Sequence, residues 1–157
     1  MAENLFEEQA GKLKQALPFA NIQHIGGTAI PGMLTKGDLD INVRVAREDF
    51  AATVDVLRSL YKINQPHNWS VDFASFEDDE NLVLPLGVQV TVVGSSSDDF
   101  VLLRDALLLN RHLVTSVNDM KLMYQGAKMD DYRNAKTDLY SAIKSSAGVE
   151  PRTGSDV

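Results

Sequence analysis

The chain has 157 residues, 44% of them hydrophobic and 24% charged, which suits one domain with a buried core. It contains no cysteine, which excludes disulfides, thiolate metal sites and a cysteine nucleophile. Its net charge of −7 disfavours nonspecific binding to nucleic acid, and no apolar run approaches the roughly 20 residues of a membrane span. Because the amino terminus is acidic rather than an apolar signal core, we expect a cytoplasmic protein that is not bound to a membrane.

The first half of the chain alternates between helical and extended patterns. Apolar residues at helical spacing predict a helix over residues 4–17, and Pro18 ends it. A short strand over 22–26 and a glycine-rich loop over 27–37 follow. Strict alternation of apolar and polar residues then predicts a strand over 38–45 with one buried face, and a helix over 47–61 comes next.

The second half begins with a predicted hairpin and continues as helices. Two strands, over 70–77 and 88–93, are joined by an acidic turn. Residues 95–98 supply candidate N-cap side chains for the first of three helices, which are predicted over 99–110, 113–125 and 130–147. Residues 148–157 are expected to be a disordered tail. The order of elements predicts one α+β domain over 1–147, with a small mixed sheet, helices packed on one of its faces, and a helical C-terminal half.

Two aspartates, Asp38 and Asp40, flank one apolar residue at the start of the alternating strand. Residues two apart on a strand point to the same face, so both carboxylates are predicted to aim at one spot. They repel each other unless a cation lies between them, and hard oxygen ligands suit Mg²⁺ or Mn²⁺. Gly26 and Gly27 end the preceding strand, where the absence of Cβ lets backbone N–H groups approach phosphates. Either motif alone is common, but their order and spacing together predict a site for a metal and a nucleotide.

Three polar residues near these motifs each have two interpretations. His24 either contacts the nucleotide or forms a hydrogen bond as a half-buried side chain. Thr28 either bonds a phosphate or caps the next turn. Lys36 either pairs with a phosphate or with Asp38, or it forms a surface salt bridge.

The same residues resemble a known family. The two glycines, the gap of ten residues and the run Asp38-Leu39-Asp40-Ile41 resemble the signature of the nucleotidyltransferase superfamily. The longer run over residues 23–32, with Lys36 and Asp40 after it, is similar to the core motif of the GrpB-like family. The likeness extends over about residues 5–145, and its weaker C-terminal part comprises Gly94-Ser95, Arg104-Asp105, Met120-Lys121, Tyr132 and Lys136.

The resemblance implies a nucleotidyltransferase-like fold, a nucleoside triphosphate substrate and Mg²⁺ or Mn²⁺ as cofactor. By the same resemblance, Asp38 and Asp40 are the catalytic metal ligands. The implied nucleotide contacts come from Gly26, Gly27, Thr28 and Lys36.

Active members of the superfamily resemble one another in having a third carboxylate on a later strand. The comparable strand here offers Gln89 and Thr91, which face one way and are not acidic. Asp72 and Glu77 on the preceding strand are alternatives, but their odd separation places them on opposite faces. At most one of the two acids therefore points at the site.

Two functions from different classes follow. The first is a metal-dependent transfer of a nucleoside monophosphate from a triphosphate to a hydroxyl of a small molecule or protein, since the acidic surface disfavours a nucleic acid. The second is a non-catalytic module of the same fold that binds a nucleotide or a partner protein. The missing third acid favours the second function, and the acid pair favours the first.

Overall fold

The alternating segment Leu39–Val45 forms strand β2 in a computed structural model that describes residues 1–146. The apolar side chains of this strand, at positions 39, 41, 43 and 45, are at most 1% exposed. Burial of one face therefore fixes the register of the strand, as the sequence pattern predicts. The predicted strand is confirmed, and it begins at Leu39 rather than at Asp38.

Strand β2 lies inside a five-stranded mixed sheet of order β1-β2-β5-β4-β3. Strands β2 and β5 run parallel, and the other neighbours are antiparallel. The bounds are β1 Asn21–Ile25, β3 Lys62–Ile63, β4 Phe73–Asp78 and β5 Leu86–Val92. The predicted hairpin of β4 and β5 is confirmed.

Within residues 1–146, five α-helices surround the sheet: α1 Ala2–Ala16, α2 Phe50–Leu60, α3 Phe100–Leu109, α4 Arg111–Met123 and α5 Met129–Ser146. Short 3₁₀ turns at Gly27–Ala29, Arg47–Asp49 and Pro66–Asn68 occupy the connections. The predicted α+β class, with a helical C-terminal half, is confirmed. The predicted tail over 148–157 lies outside the described residues.

Two apolar clusters divide the interior. The larger one joins one face of the sheet to α1 and α2, with Leu13 and Leu57 fully buried. The smaller one joins α3, α4 and α5 to Ile30 and Met33 in the loop after β1. Helix α3 also lies over the second face of the sheet, where the Phe100 ring stacks on Phe73 at 6.4 Å. Helices therefore cover both faces of the sheet, whereas the sequence predicted only one.

Two local predictions were wrong. Residues 70–72 are not part of β4, because the Asp72 backbone N–H bonds Ser70 Oγ and the Asp72 carboxylate binds Arg47. Residues 95–98 do not cap α3. The N-cap of this helix is Asp99, whose side chain makes no capping hydrogen bond. Asp98 instead accepts hydrogen bonds from Arg44 and from the backbone N–H of Gly94.

No helix within residues 1–146 has the length and apolar character to cross a bilayer.

Candidate functional site

A cleft of about 990 Å³ lies between the second face of the sheet and the three C-terminal helices. Its floor comes from the ends of β1 and β2 and from β5, and its far wall comes from α3, α4 and α5. This volume is at the upper end of the range of roughly 300–1,000 Å³ for small-molecule sites. The cleft can therefore accommodate a ligand as large as a nucleoside triphosphate.

Asp38 and Asp40 both line this cleft. Strand β2 begins at Leu39, so Asp38 directly precedes the strand and Asp40 is its second residue. Leu39 between them is fully buried on the opposite face. Burial, and then the charge of Asp38, raise the pKa of Asp40 from its ordinary 3.8 to about 6. The two carboxylates thus share one region of the cleft floor and interact unfavourably when both are ionised.

The Asp40 carboxylate lies between two glycines on either side of β2. A Cβ added at Gly26 would lie 2.5 Å from Asp40 Oδ2, and one added at Gly87 would lie 2.8 Å from Asp40 Oδ1. Gly26 also has a positive φ of 77°, which L side chains rarely adopt. Glycine at both positions leaves the room that the carboxylate occupies.

Gln89 is the β5 residue that lines the cleft beside the acid pair. Its side-chain Oε1 is buried without a hydrogen-bond partner. Thr91 lies on the same face but is fully buried, and its hydroxyl accepts a hydrogen bond of 3.0 Å from Asn42. Of the two β5 positions considered for a third ligand, only Gln89 faces the cleft.

The two acids considered on the preceding strand do not line the cleft. Asp72 binds Arg47 at 2.7 Å, close to the opposite end of β5. Glu77 is opposite Gly87 on β5, which in turn is opposite Asp40 on β2. Two strand spacings, roughly 10 Å, therefore separate the backbones of Glu77 and Asp40. Within residues 1–146, no three acidic or histidine side chains form a group that could hold a metal ion.

The oxygen atoms present nevertheless fit a hard divalent cation. Asp38 and Asp40 supply two carboxylates, and Gln89 lines the same cleft with an amide whose buried Oε1 has no hydrogen-bond partner. Mg²⁺ is commonly bound through one or two carboxylates, with waters and phosphate oxygens completing its shell. The donor set is compatible with Mg²⁺ or Mn²⁺.

Cationic side chains face the acid pair although the whole chain is acidic. The cleft lining includes Lys36, Arg104, Lys121, Lys136 and Lys144 against three aspartates. The charge of Lys136 lowers the pKa of Asp40, so it acts across the cleft on the acid pair. Burial, and then the charge of Lys136, lower the pKa of Lys121. An anionic ligand would relieve the repulsion between these two lysines.

Three of these cations already have protein partners, and Lys121 is one of them because it donates to the Leu34 carbonyl. Arg104 donates hydrogen bonds to Gln23 Oε1 and the His24 carbonyl, at 2.8 and 3.0 Å, and so ties α3 to β1. Lys144 pairs with Asp99 at 2.5 Å. Among the described residues, the ammonium group of Lys36 has no hydrogen-bond or ion-pair partner, and that of Lys136 lies 5.5 Å from the ring centroid of Tyr140. Lys36 and Lys136 are therefore the cations most available to a ligand.

The glycine-rich loop between β1 and β2 is held in place by helix α4. Asn118 accepts a hydrogen bond from the Leu34 backbone N–H at 2.8 Å and donates one to the Gly32 carbonyl at 2.9 Å. Lys121 donates to the Leu34 carbonyl. Gly27 lines the cleft within this loop, whereas Thr28 does not.

Comparison with known proteins agrees with this architecture. The sequence matches the family described as GrpB protein over residues 2–146. The chain belongs to the GrpB family. It is 32% identical over 141 residues to a UPF0157 protein of Vibrio cholerae, with 86% of this chain and 71% of that protein covered. A UPF0157 protein of Streptomyces coelicolor is 29% identical over 147 residues, with 84% and 71% covered.

A solved structure shares the fold of this GrpB-family chain. The crystal structure of conserved protein GrpB from Enterococcus faecalis superposes with a TM-score of 0.73 at 20% identity. The match covers 93% of this chain and 92% of that one. At this identity the likeness concerns the fold.

Two residues at the site, Gly87 beside Asp40 and Tyr140 in the cleft wall, were missed in the sequence. Gly87 interrupts an apolar strand, and an isolated glycine there can signal the close approach of another group. Tyr140 carried no comparable signal. It lies near the acid pair, since burial, Tyr132 and then Asp40 raise its pKa to about 12.

Proposed function

We propose that this GrpB-family chain binds a nucleoside triphosphate with Mg²⁺ or Mn²⁺ and transfers its nucleoside monophosphate to an acceptor hydroxyl. The observation that carries the proposal is the arrangement of charge in the cleft: two adjacent carboxylates on the floor face lysines on the helical wall. Such a site favours a cation and a polyanion together over either one alone. The proposal fits the cytoplasm, where nucleoside triphosphates are available.

The chain's own residues have distinct roles in the proposed reaction. Asp38 and Asp40 hold the cation, and Gln89 supports it through its amide oxygen. The cation, when bound, neutralises phosphate charge and lowers the pKa of a coordinated hydroxyl. Gly26 and Gly27 let the phosphate chain approach the backbone, and Lys36 and Lys136 bind its outer oxygens.

The proposed transfer makes one bond and breaks one bond. The oxygen of the acceptor hydroxyl attacks the α-phosphorus, and the bond from that phosphorus to the bridging oxygen breaks. Pyrophosphate leaves, and the hydroxyl proton passes to solvent. The residues named above contribute chiefly by positioning and by neutralising charge. The acceptor is a small molecule or a protein side chain that reaches the open side of the cleft.

A specific observation favours a second candidate, a non-catalytic nucleotide-binding module of the same fold. Among the described residues no third acid joins Asp38 and Asp40. An amide such as Gln89 can coordinate a metal, but it cannot serve as a base. In this alternative the cleft binds the nucleotide and releases it unchanged.

Two measurements test the proposal and separate it from the alternative. Calorimetry with ATP, GTP, CTP and UTP, in Mg²⁺ and in excess chelator, tests metal-dependent binding. Release of pyrophosphate in the presence of candidate hydroxyl compounds tests transfer. Asp40→Asn is the site variant, and Asp55→Asn on the exposed face of α2 is its charge-matched control. Equal binding in chelator, or by the Asp40→Asn variant, would argue against a metal site at Asp38 and Asp40 and so against the transfer reaction, whereas metal-dependent binding without pyrophosphate release favours the module.

A further inference from the structure

The hydroxyl of Thr28 joins the ring of His24 to the backbone carbonyl of Asp38. Thr28 Oγ1 donates a hydrogen bond of 3.1 Å to the backbone carbonyl of Asp38. The same oxygen lies 3.0 Å from Nε2 of His24. A hydroxyl has a single hydrogen, and here it is directed at a carbonyl, which can only accept. Nε2 of His24 must therefore carry a hydrogen and donate it to Thr28.

The surroundings of His24 hold the ring in this arrangement. Its imidazole stacks on the Phe6 ring of α1, with centroids 5.1 Å apart and planes inclined by 16°. Burial lowers the pKa of His24, so the ring is neutral near pH 7 and carries one N–H. That N–H is on Nε2, because the Thr28 hydroxyl directs its own hydrogen at the Asp38 carbonyl and can only accept a hydrogen bond from the ring.

The hydrogen-bonded chain ends on the peptide that joins Asp38 to the strand. Thr28 binds the carbonyl of this peptide, and its N–H, which belongs to Leu39, donates to the Pro85 carbonyl at 2.9 Å. Both polar groups of one peptide are thus fixed from opposite sides. Because Asp38 precedes the first residue of β2, the sheet ladder does not fix its carbonyl.

We infer that His24 and Thr28 are positioning residues, which fix the Asp38–Leu39 peptide and so set where the Asp38 carboxylate lies relative to Asp40. The inference rests on the proposed function for its consequence, which is affinity for the metal. Neither residue lines the cleft, so they act through Asp38 and not by touching a ligand. Partners that orient metal ligands typically change metal affinity by about 10- to 100-fold when they are removed.

The matched variants are Thr28→Val, which keeps the branched shape and loses the hydroxyl, and Thr28→Ser, which keeps the hydroxyl. Thr115→Val is the control, because Thr115 makes a similar bond of 3.1 Å to the Arg111 carbonyl on the exposed side of α4. Each full-length protein is examined at pH 7 by amide hydrogen exchange at Leu39 and by titration with Mn²⁺, observed by electron paramagnetic resonance.

We expect Thr28→Val to speed exchange at Leu39 by about five- to tenfold and to weaken Mn²⁺ binding by about tenfold. Thr28→Ser and Thr115→Val should match the unaltered protein in both measurements. Unchanged exchange at Leu39 in Thr28→Val overturns the inference, as does faster exchange with unchanged Mn²⁺ affinity. If the unaltered protein binds no Mn²⁺ but exchange at Leu39 responds as expected, the proposed metal site fails and the fixing of the peptide stands.

A further measurement needs neither a variant nor a metal. Long-range ¹H–¹⁵N nuclear magnetic resonance of the unaltered protein reports which nitrogen of His24 carries the hydrogen. We expect the Nε2–H form at pH 7. The Nδ1–H form would overturn the inference, because Thr28 would then donate to His24 and leave the Asp38 carbonyl without this hydrogen bond.

Discussion

Replacing Asp40 with asparagine should stabilise the metal-free protein at neutral pH. Burial and the neighbouring Asp38 raise the pKa of Asp40 from 3.8 to about 6, which corresponds to about 3 kcal/mol of unfolding free energy lost when the group ionises. The asparagine amide is similar in shape but also lacks partners, which costs about 1 kcal/mol. A net gain of about 2 kcal/mol raises the Tm of a chain of this size by about 4–8 °C.

The gain should depend on pH, and the direction follows from the pKa. At pH values below 3.8 the carboxyl is protonated in both the folded and the unfolded states, so it has no effect on stability. Between 3.8 and about 6 the unfolded state ionises first, and the folded state of the unaltered protein is progressively destabilised. Above that interval the full difference is present. Asp40→Asn should therefore gain most near pH 7.5 and show no gain near pH 4, where only the cost of the amide is left.

Chemical denaturation of the metal-free protein at pH 4 and pH 7.5 measures this difference. Asp55→Asn is the control, since it removes the same charge from the exposed side of α2. A lower stability of Asp40→Asn at pH 7.5 would show that the carboxylate has a structural partner. A gain of equal size at both pH values would show that repulsion and burial of charge are not its cause.

Three further changes test other parts of the cleft. Gly87→Ala places a Cβ 2.8 Å from Asp40 Oδ1 and should weaken Mn²⁺ binding by about tenfold in a metal titration. Gly11→Ala is the control, because an added Cβ there would have no neighbouring atom within 4 Å, and it should leave the Mn²⁺ affinity unchanged. Lys136→Met removes a cation that faces both Asp40 and the proposed triphosphate. It should raise the pKa of Asp40 further, as measured by ¹³C titration. It should also weaken triphosphate binding by about tenfold or more, as measured by calorimetry. Gln89→Asp should tighten Mg²⁺ binding, since a carboxylate is a stronger ligand for a hard cation than an amide; no gain in a metal titration would show that Gln89 does not reach the cation.

The parts of the fold that could be predicted from the sequence are those that one local pattern determines. Strand β2 could be predicted because its alternate residues are buried in one apolar cluster. Strand β3 was missed because both of its residues, Lys62 and Ile63, are exposed and only pairing with β4 defines it. Strand β4 begins only at Phe73, and the preceding Asp72 contacts Arg47, which is distant from it in sequence.

The residues of the candidate site also differ in how well the sequence predicts them. Asp38, Asp40 and the two adjacent glycines are close in sequence, so their spacing indicates that they share one region. The cations of the helical wall come from three helices, and periodicity alone does not show which side of each helix faces the cleft. Thr28 shows a further limit, because a motif position identifies the residue but not the direction of its hydroxyl, which here binds the Asp38 carbonyl.

The location of bound Mn²⁺ tests the central claim most directly. In ¹⁵N-labelled protein with a nucleoside triphosphate, a substoichiometric amount of Mn²⁺ broadens the amide signals of residues near the ion. The account predicts that the signals of Gly26, Asp40 and Gly87 broaden first, and that Asp40→Asn abolishes the effect. Broadening centred on the exposed acidic turn over residues 78–80, or no selective broadening, would contradict the account.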